Sequence, residues 1–245
     1  MRDSHWNMPP NKAKALMLAK RQLSELVCDA INLEGINYTL PEVQTLLDGI
    51  TVGGHKLSEQ QIVLNQSNAW QEVFALVKNN QFAVTVEIAC TLHGIAAQED
   101  ALEWGQFRSS GVMIAGTKYM PPSAGELPEL FTRMIEEAEQ VADVYDRAIF
   151  YFLTMARCQF FYDANKRVDC KWISRFMMNG FLLHNGYPAI NLPAKRQLEF
   201  NRLMLDFYAT GDQDAMNNFL RSCLDEKIIN IMKENQIQGQ AAHNH

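Results

Sequence analysis

The residues best suited to chemistry lie together at Gln159-Phe160-Phe161-Tyr162-Asp163-Ala164-Asn165-Lys166-Arg167, between two apolar stretches. Asp163 is a short carboxylate of the kind that caps a helix start. Past such a cap the first backbone N–H groups lack intrahelical partners, and the peptide dipoles present their positive end. Lys166 and Arg167 add two cations beside them. Free amides, dipole and cations together suit a phosphate. Asn165 is of the right type to orient the loop or a ligand oxygen. The same residues also read as an ordinary capped helix start with a solvated Lys-Arg pair. Local spacing alone leaves both readings open.

The elements that must position this segment are helical. Residues 12–32 carry Ala15, Leu16, Leu18, Leu23, Leu26 and Val27 at three-and-four spacing, which predicts one helix with a buried stripe. Thr39-Leu40-Pro41-Glu42 reads as a capping box, with Pro41 tolerated in the first turn and Gly49 as the stop. Ser58-Glu59-Gln60-Gln61 repeats the logic before a helix to about Lys78, and another covers residues 82–93. Residues 105–122, GQFRSSGVMIAGTKYMPP, break the pattern and predict a small β-hairpin or flap around Val112, Met113 and Ile114. Ser123-x-x-Glu126 then caps a helix to about Gln140, and residues 142–157 form a strongly apolar one. Further helices are expected over 163–180, 195–209 and 214–233. No internal repeat or long linker interrupts the chain, which predicts a compact α-helical unit. Residues 1–80 form its N-terminal helical region, 81–233 the core with flap and motif loop, and 234–245 a disordered tail.

Composition excludes several classes. Of 245 residues, 47% are hydrophobic and 20% charged, which is too apolar for a disordered chain. Lys+Arg 22 against Asp+Glu 28 gives a net charge of −6, which argues against sequence-independent nucleic-acid binding. Cys28, Cys90, Cys158, Cys170 and Cys223 form no C-x-x-C pair, so neither a zinc ribbon nor a disulfide framework is indicated. No apolar run reaches the ~18 residues of a membrane helix, and residues 1–14 lack the apolar core of a secretory signal. The expectation is a soluble, cytoplasmic protein. Methionine-rich first and last helices would support a homo-oligomer.

The motif resembles the Fic/Doc signature H-x-F-x-(D/E)-(A/G)-N-(G/K)-R, matched at Phe161, Asp163, Ala164, Asn165, Lys166 and Arg167. Gly105-Gln106-Phe107-Arg108, Val112, Ile114, Gly116, Tyr119 and Pro121-Pro122 are similar to the family's flap. Asn185-Gly186-Tyr187-Pro188 and Gly211-Asp212 also fall where the family has similar residues, so the resemblance runs over roughly 25–225. It implies an all-α, Fic-like fold with a β-hairpin flap. It also implies transfer of AMP from ATP to a Ser, Thr or Tyr hydroxyl of a target protein. Ala164, Asn165, Lys166 and Arg167 would hold the phosphates, and Asp163 would hold Mg²⁺. Asp163, Asn165 and Arg167 thereby join the catalytic set, while Val112, Ile114 and Gly116 would align the target.

The first signature position fails. The family's histidine takes the proton of the attacking hydroxyl, and here that position is Gln159, an amide without a basic site near neutral pH. General-base help is worth about 10²–10⁴ in rate, so an impaired enzyme is expected. Neither Cys158, expected to be buried, nor His93 or His184 is an evident substitute. A second motif arginine is replaced by Cys170, with Lys171 beside it, and no adenine-bracketing tyrosine and asparagine are clear over 201–209. The D-A-N-K-R form resembles Doc, which implies phosphate transfer as the rival reaction. A catalytically inactive nucleotide-binding or interaction module is a further alternative. Residues 33–40, LEGINYTL, resemble the family's inhibitory segment, with Glu34 as the inhibitory residue and Arg167 or Lys171 as its expected partner. A helix end followed by a capped turn explains the same residues.

Overall fold

The computed structural model describes residues 6–98, 101–162 and 171–234. Within them the chain forms α1 (Lys12–Arg21), α2 (Leu23–Leu33), α3 (Leu40–Leu47), α4 (Leu57–Lys78), α5 (Val86–Ala96), α6 (Leu127–Glu139), α7 (Val144–Cys158), α8 (Lys171–His184), α9 (Gln197–Thr210), α10 (Asp214–Arg221) and α11 (Glu226–Lys233). Short 3₁₀ turns precede α6 and α9.

The antiparallel pair α7 and α8 forms the axis. α7 is apolar almost all round, burying Tyr145, Ala148, Ile149, Phe152, Leu153, Met155 and Ala156, as a helix enclosed by others must. Asp143 starts it, its carboxylate accepting from the N–H groups of Tyr145 and Asp146. The Arg221 guanidinium then ties α10 to that start, 2.5 Å from Asp143 and 2.7 Å from Asp146. On the other side Trp70 of α4 packs edge-on against Phe176 of α8, with ring centroids 5.3 Å apart.

Both capping boxes form. Thr39 and Glu42 satisfy each other's backbone N–H groups at α3, and Ser123 and Glu126 do so before α6. The cap expected at Ser58 does not form, since α4 already begins at Leu57 after Lys56, without a side-chain cap. The expected helix over 12–32 is broken at Gln22 into α1 and α2, and that over 214–233 is split between α10 and α11. Gly180 does not end α8. A Cβ there would lie 2.1 Å from the Phe82 ring, so the glycine admits Phe82 against the helix while the helix continues to His184. Gly186, at φ +82°, makes the turn instead, and its carbonyl accepts from the Asn11 N–H at 2.7 Å.

The β-hairpin flap is not seen. Among the described residues there is no strand, and residues 105–122 run as irregular extended chain with a turn at Gly116, φ +82°. The three-residue β-prone run is too short to sustain a ladder. Ile114 drops into the core at 6% exposure, while Met113 projects outward at 83%. Side-chain contacts hold the segment, and they converge on the end of α7.

Candidate functional site

α7 ends at Gln159, which adopts the left-handed conformation (φ 49°, ψ 61°). Its side chain does not reach outward. It is 2% exposed, and its amide Nε2 donates to the Ala156 carbonyl at 2.6 Å, satisfying one of the carbonyls a helix end leaves without a partner. The Gln159 backbone carbonyl accepts from Arg108 Nε at 2.5 Å.

Arg108 is the clamp of the region. Besides Gln159 it donates to the carbonyls of Cys158 (3.3 Å), Ser110 (2.7 Å) and Pro122 (2.5 Å), while its own N–H donates to Phe160 O (3.0 Å). One 2%-exposed guanidinium therefore joins both ends of the flap to the C-terminus of α7. The negative end of that helix dipole favours a cation there. Tyr119, further along the flap, faces the Arg157 guanidinium at 4.6 Å and stacks on Tyr208. Of the flap residues singled out from the sequence, Ile114 is buried, Val112 half-buried and Gly116 exposed beside Leu205.

His93 fastens the next stretch. Its Nδ1 accepts from the Gly105 N–H at 3.2 Å, and Nε2, 3.2 Å from the Tyr162 carbonyl, must donate to it because a carbonyl can only accept. The ring also lies 4.5 Å from that of Phe161. Burial pushes the His93 pKa down to about 4, so the imidazole is neutral at pH 7 with both nitrogens engaged. Tyr162 turns its hydroxyl to Ser110 Oγ at 2.5 Å and Ser109 Oγ at 3.4 Å, and these hydrogen bonds hold its pKa below the usual value. Burial raises the Cys158 thiol to about 11, which leaves it protonated. His184 stands at the far end of α8, about 20 Å along the helix from its first described residue. None of His93, Cys158 and His184 is placed to replace a base at position 159.

Asp163, Ala164, Asn165, Lys166, Arg167 and Cys170 lie outside the described residues. Among the described residues no group of three or more His, Cys, Asp and Glu is arranged around a metal position. The described chain resumes at residue 171, with α8. Arg175, on the second turn of α8, lies 3.9 Å from the Glu34 carboxylate, with side chains 9% and 6% exposed. Arg175, Gln66 and Trp172 line one narrow cleft between α2, α4 and α8. The Gln66 Nε2 and Trp172 Nε1 groups are buried there without hydrogen-bond partners among the described residues. The rest of the cleft lining is largely apolar, with Leu26, Trp70, Phe176 and Leu192 facing these donors. The sequence reading passed over Arg175 and named Arg108 only as part of the flap resemblance, without its clamping role. For Arg175 a signal existed, because positions 171 and 175 share a helical face. For Arg108 none did, since its acceptors are carbonyls scattered over three segments.

Residues 83–182 match the family model described as Fic/DOC family. That stretch belongs to the Fic/DOC family. The chain is 23% identical over 221 residues to "Protein adenylyltransferase Fic" of Drosophila mojavensis, covering 87% of this chain and 42% of the relative. The Drosophila grimshawi protein of the same name is 23% identical over 222 residues, covering 87% and 44%. The chain thus spans less than half the length of these relatives. The fold is similar to that of C. elegans Fic-1, with a TM-score of 0.74 at 13% identity over 97% of this chain and 69% of that one. It is also similar to a Fic domain-containing signaling protein of Bacteroides thetaiotaomicron, with a TM-score of 0.70 at 17% identity, over 91% and 89%. The Fic/DOC match starts before α5 and ends within α8, so it takes in the flap, Arg108, Gln159 and the motif loop. No described helix is long and apolar enough to cross a membrane.

Proposed function

We propose that this chain is a Fic-type nucleotide-binding protein whose transfer of AMP from ATP to a Ser, Thr or Tyr hydroxyl of a target protein is impaired at Gln159. The observation that carries the proposal is the Gln159–Ala156 hydrogen bond at 2.6 Å. The residue in the base position is a buried helix cap, and its amide has no basic nitrogen to receive a proton. His93, neutral and bonded on both nitrogens, supports the same reading.

Ala164, Asn165, Lys166 and Arg167 would bind the nucleotide phosphates, and Asp163 would hold Mg²⁺. ATP held there would supply the AMP group, with pyrophosphate leaving and the hydroxyl proton lost, and Mg²⁺ would supply charge compensation for the phosphates. The Gln66 Nε2 and Trp172 Nε1 donors, buried without partners among the described residues in the cleft against α8, support an anionic group on that side of the helix. Val112, Ile114 and Gly116 would receive the target segment on a flap held in place by Arg108. Glu34 is read as inhibitory: its carboxylate already supplies an anion to Arg175, so a phosphate approaching that cation would have to compete with it.

Phosphate transfer is the second reading, favoured by Lys166 in place of glycine and by Cys170 in place of a second arginine. The described cysteines are all unpaired, which supports a reducing compartment such as cytoplasm. Calorimetric titration with a non-hydrolysable ATP analogue tests the binding half of the proposal. Binding that needs Mg²⁺ and is lost in Arg167→Glu is expected. Equal heats from wild type and Arg167→Glu would overturn it.

A further inference from the structure

Away from the motif, α1 and the end of α4 enclose an open groove of about 650 Å³. Leu16 and Met17 line it together with the cations Lys12, Lys20, Arg21 and Lys78. Met17 is 39% exposed, unusually open for a methionine on a packed helix. α1, KAKALMLAKR, has no carboxylate, although the whole chain carries −6. Lys12 Nζ donates to Asn80 Oδ1 at 2.7 Å. Among the described residues none of the four cations has a carboxylate within ion-pair distance.

The arrangement has two charged ends. Lys12 opens α1 and Arg21 closes it, nine residues apart, which is about 13 Å along the axis. The Lys12–Asn80 hydrogen bond brings the end of α4, with Lys78, to the Lys12 end. A single-headed amphiphile such as a fatty acid would satisfy only one end. A peptide with an apolar anchor between acidic residues would satisfy both. Residues 235–245, NQIQGQAAHNH, carry no acidic side chain and do not match the groove.

We propose that this groove docks an acidic, amphipathic segment of a partner protein. Its apolar anchor sits on Leu16 and Met17, and carboxylates on either side meet Lys12 with Lys78 and Lys20 with Arg21. The apolar contact supplies the affinity, while the cationic rim selects the partner and speeds encounter in a salt-dependent way. The site is separate from the nucleotide reading and does not depend on it.

The test is selection of a random-peptide display library on the full chain, with the best peptides remade and measured by fluorescence anisotropy. Selected peptides should carry acidic residues on both sides of an apolar residue. Their affinity should fall at least about tenfold in Lys20→Glu/Arg21→Glu, in Lys78→Glu and in Met17→Glu, and should weaken as salt is raised. These positions are exposed, so each variant should melt like wild type. If one does not, the others carry the measurement. Peptides without flanking acids, or peptides that bind the charge-reversed proteins equally well, would overturn the proposal. So would binding of phosphatidylserine vesicles in place of any peptide, or a dimer of this chain that Lys20→Glu/Arg21→Glu disperses.

Discussion

Glu34 and Arg175 face each other 3.9 Å apart, one just past the end of α2 and the other on the second turn of α8, and both are nearly excluded from solvent. The contact links the segment read as inhibitory to the helix that leaves the motif loop. Each buried charge offsets part of the other's desolvation, so neutralising Glu34 removes a favourable term from the Arg175 site. Glu34→Gln should therefore cost about 1–3 kcal/mol in urea denaturation. Glu34→Gly should raise the affinity for an ATP analogue in calorimetry. Unchanged affinity would separate the ion pair from nucleotide binding.

Arg108 should matter more to the flap than any other flap residue does. Arg108→Met removes the donors to four carbonyls at once, and each buried carbonyl left unpaired costs roughly 1–3 kcal/mol unless water reaches it. The expected result is a loss of about 3 kcal/mol or more, with new protease cleavage within 109–121. Limited proteolysis followed by mass spectrometry would locate the cuts. Wild-type resistance there would show that the flap is held by other contacts.

Position 159 should tolerate replacements that accept a left-handed backbone. Gln159→Gly relieves a conformation that costs a side-chain-bearing residue about 1 kcal/mol but forfeits the bond to Ala156, so stability should change by less than about 1 kcal/mol. Gln159→Val is β-branched and cannot cap, and it should cost about 2 kcal/mol or more. Thermal denaturation of the two variants, run side by side, distinguishes the outcomes.

His93 predicts a pH dependence with a definite sign. Its folded pKa of about 4 lies below the ordinary 6.5, so between these values the unfolded chain binds the extra proton and stability falls as pH falls. The full contribution, roughly 3 kcal/mol, is present above pH 6.5 and is lost progressively down to about pH 4. Protonation would also cost Nδ1 its role as acceptor for Gly105. Urea midpoints of wild type and His93→Phe at pH 7 and pH 4.5 should show a smaller pH difference in the variant.

The sequence carried the helices wherever a local signal fixed them. Thr39 with Glu42, and Ser123 with Glu126, cap as their spacing predicts. The motif is legible as a sequence pattern because its residues are contiguous, although Asp163 to Arg167 lie outside the described residues. The flap could not be read in the same way: β-propensity at Val112, Met113 and Ile114 is a local property, whereas a clamp by one buried guanidinium is a tertiary one. The breaks at Gln22 and after Arg221 have no proline or glycine to announce them. Glu34 was legible as a candidate, but its contact with Arg175, one helical turn beyond position 171, is a tertiary one that no local spacing announces; the expected Arg167 lies outside the described residues.

The proposed function requires a nucleotide site that still works and a base that is missing. The most direct test restores histidine with Gln159→His and follows protein labelling by ATP carrying the label on the α or the γ phosphate. A rise of about 10²–10⁴ over wild type is predicted, with α-label retained for AMP transfer and γ-label for phosphate transfer. Equal labelling of the two proteins, or none in the restored protein and its targets, would contradict the claim.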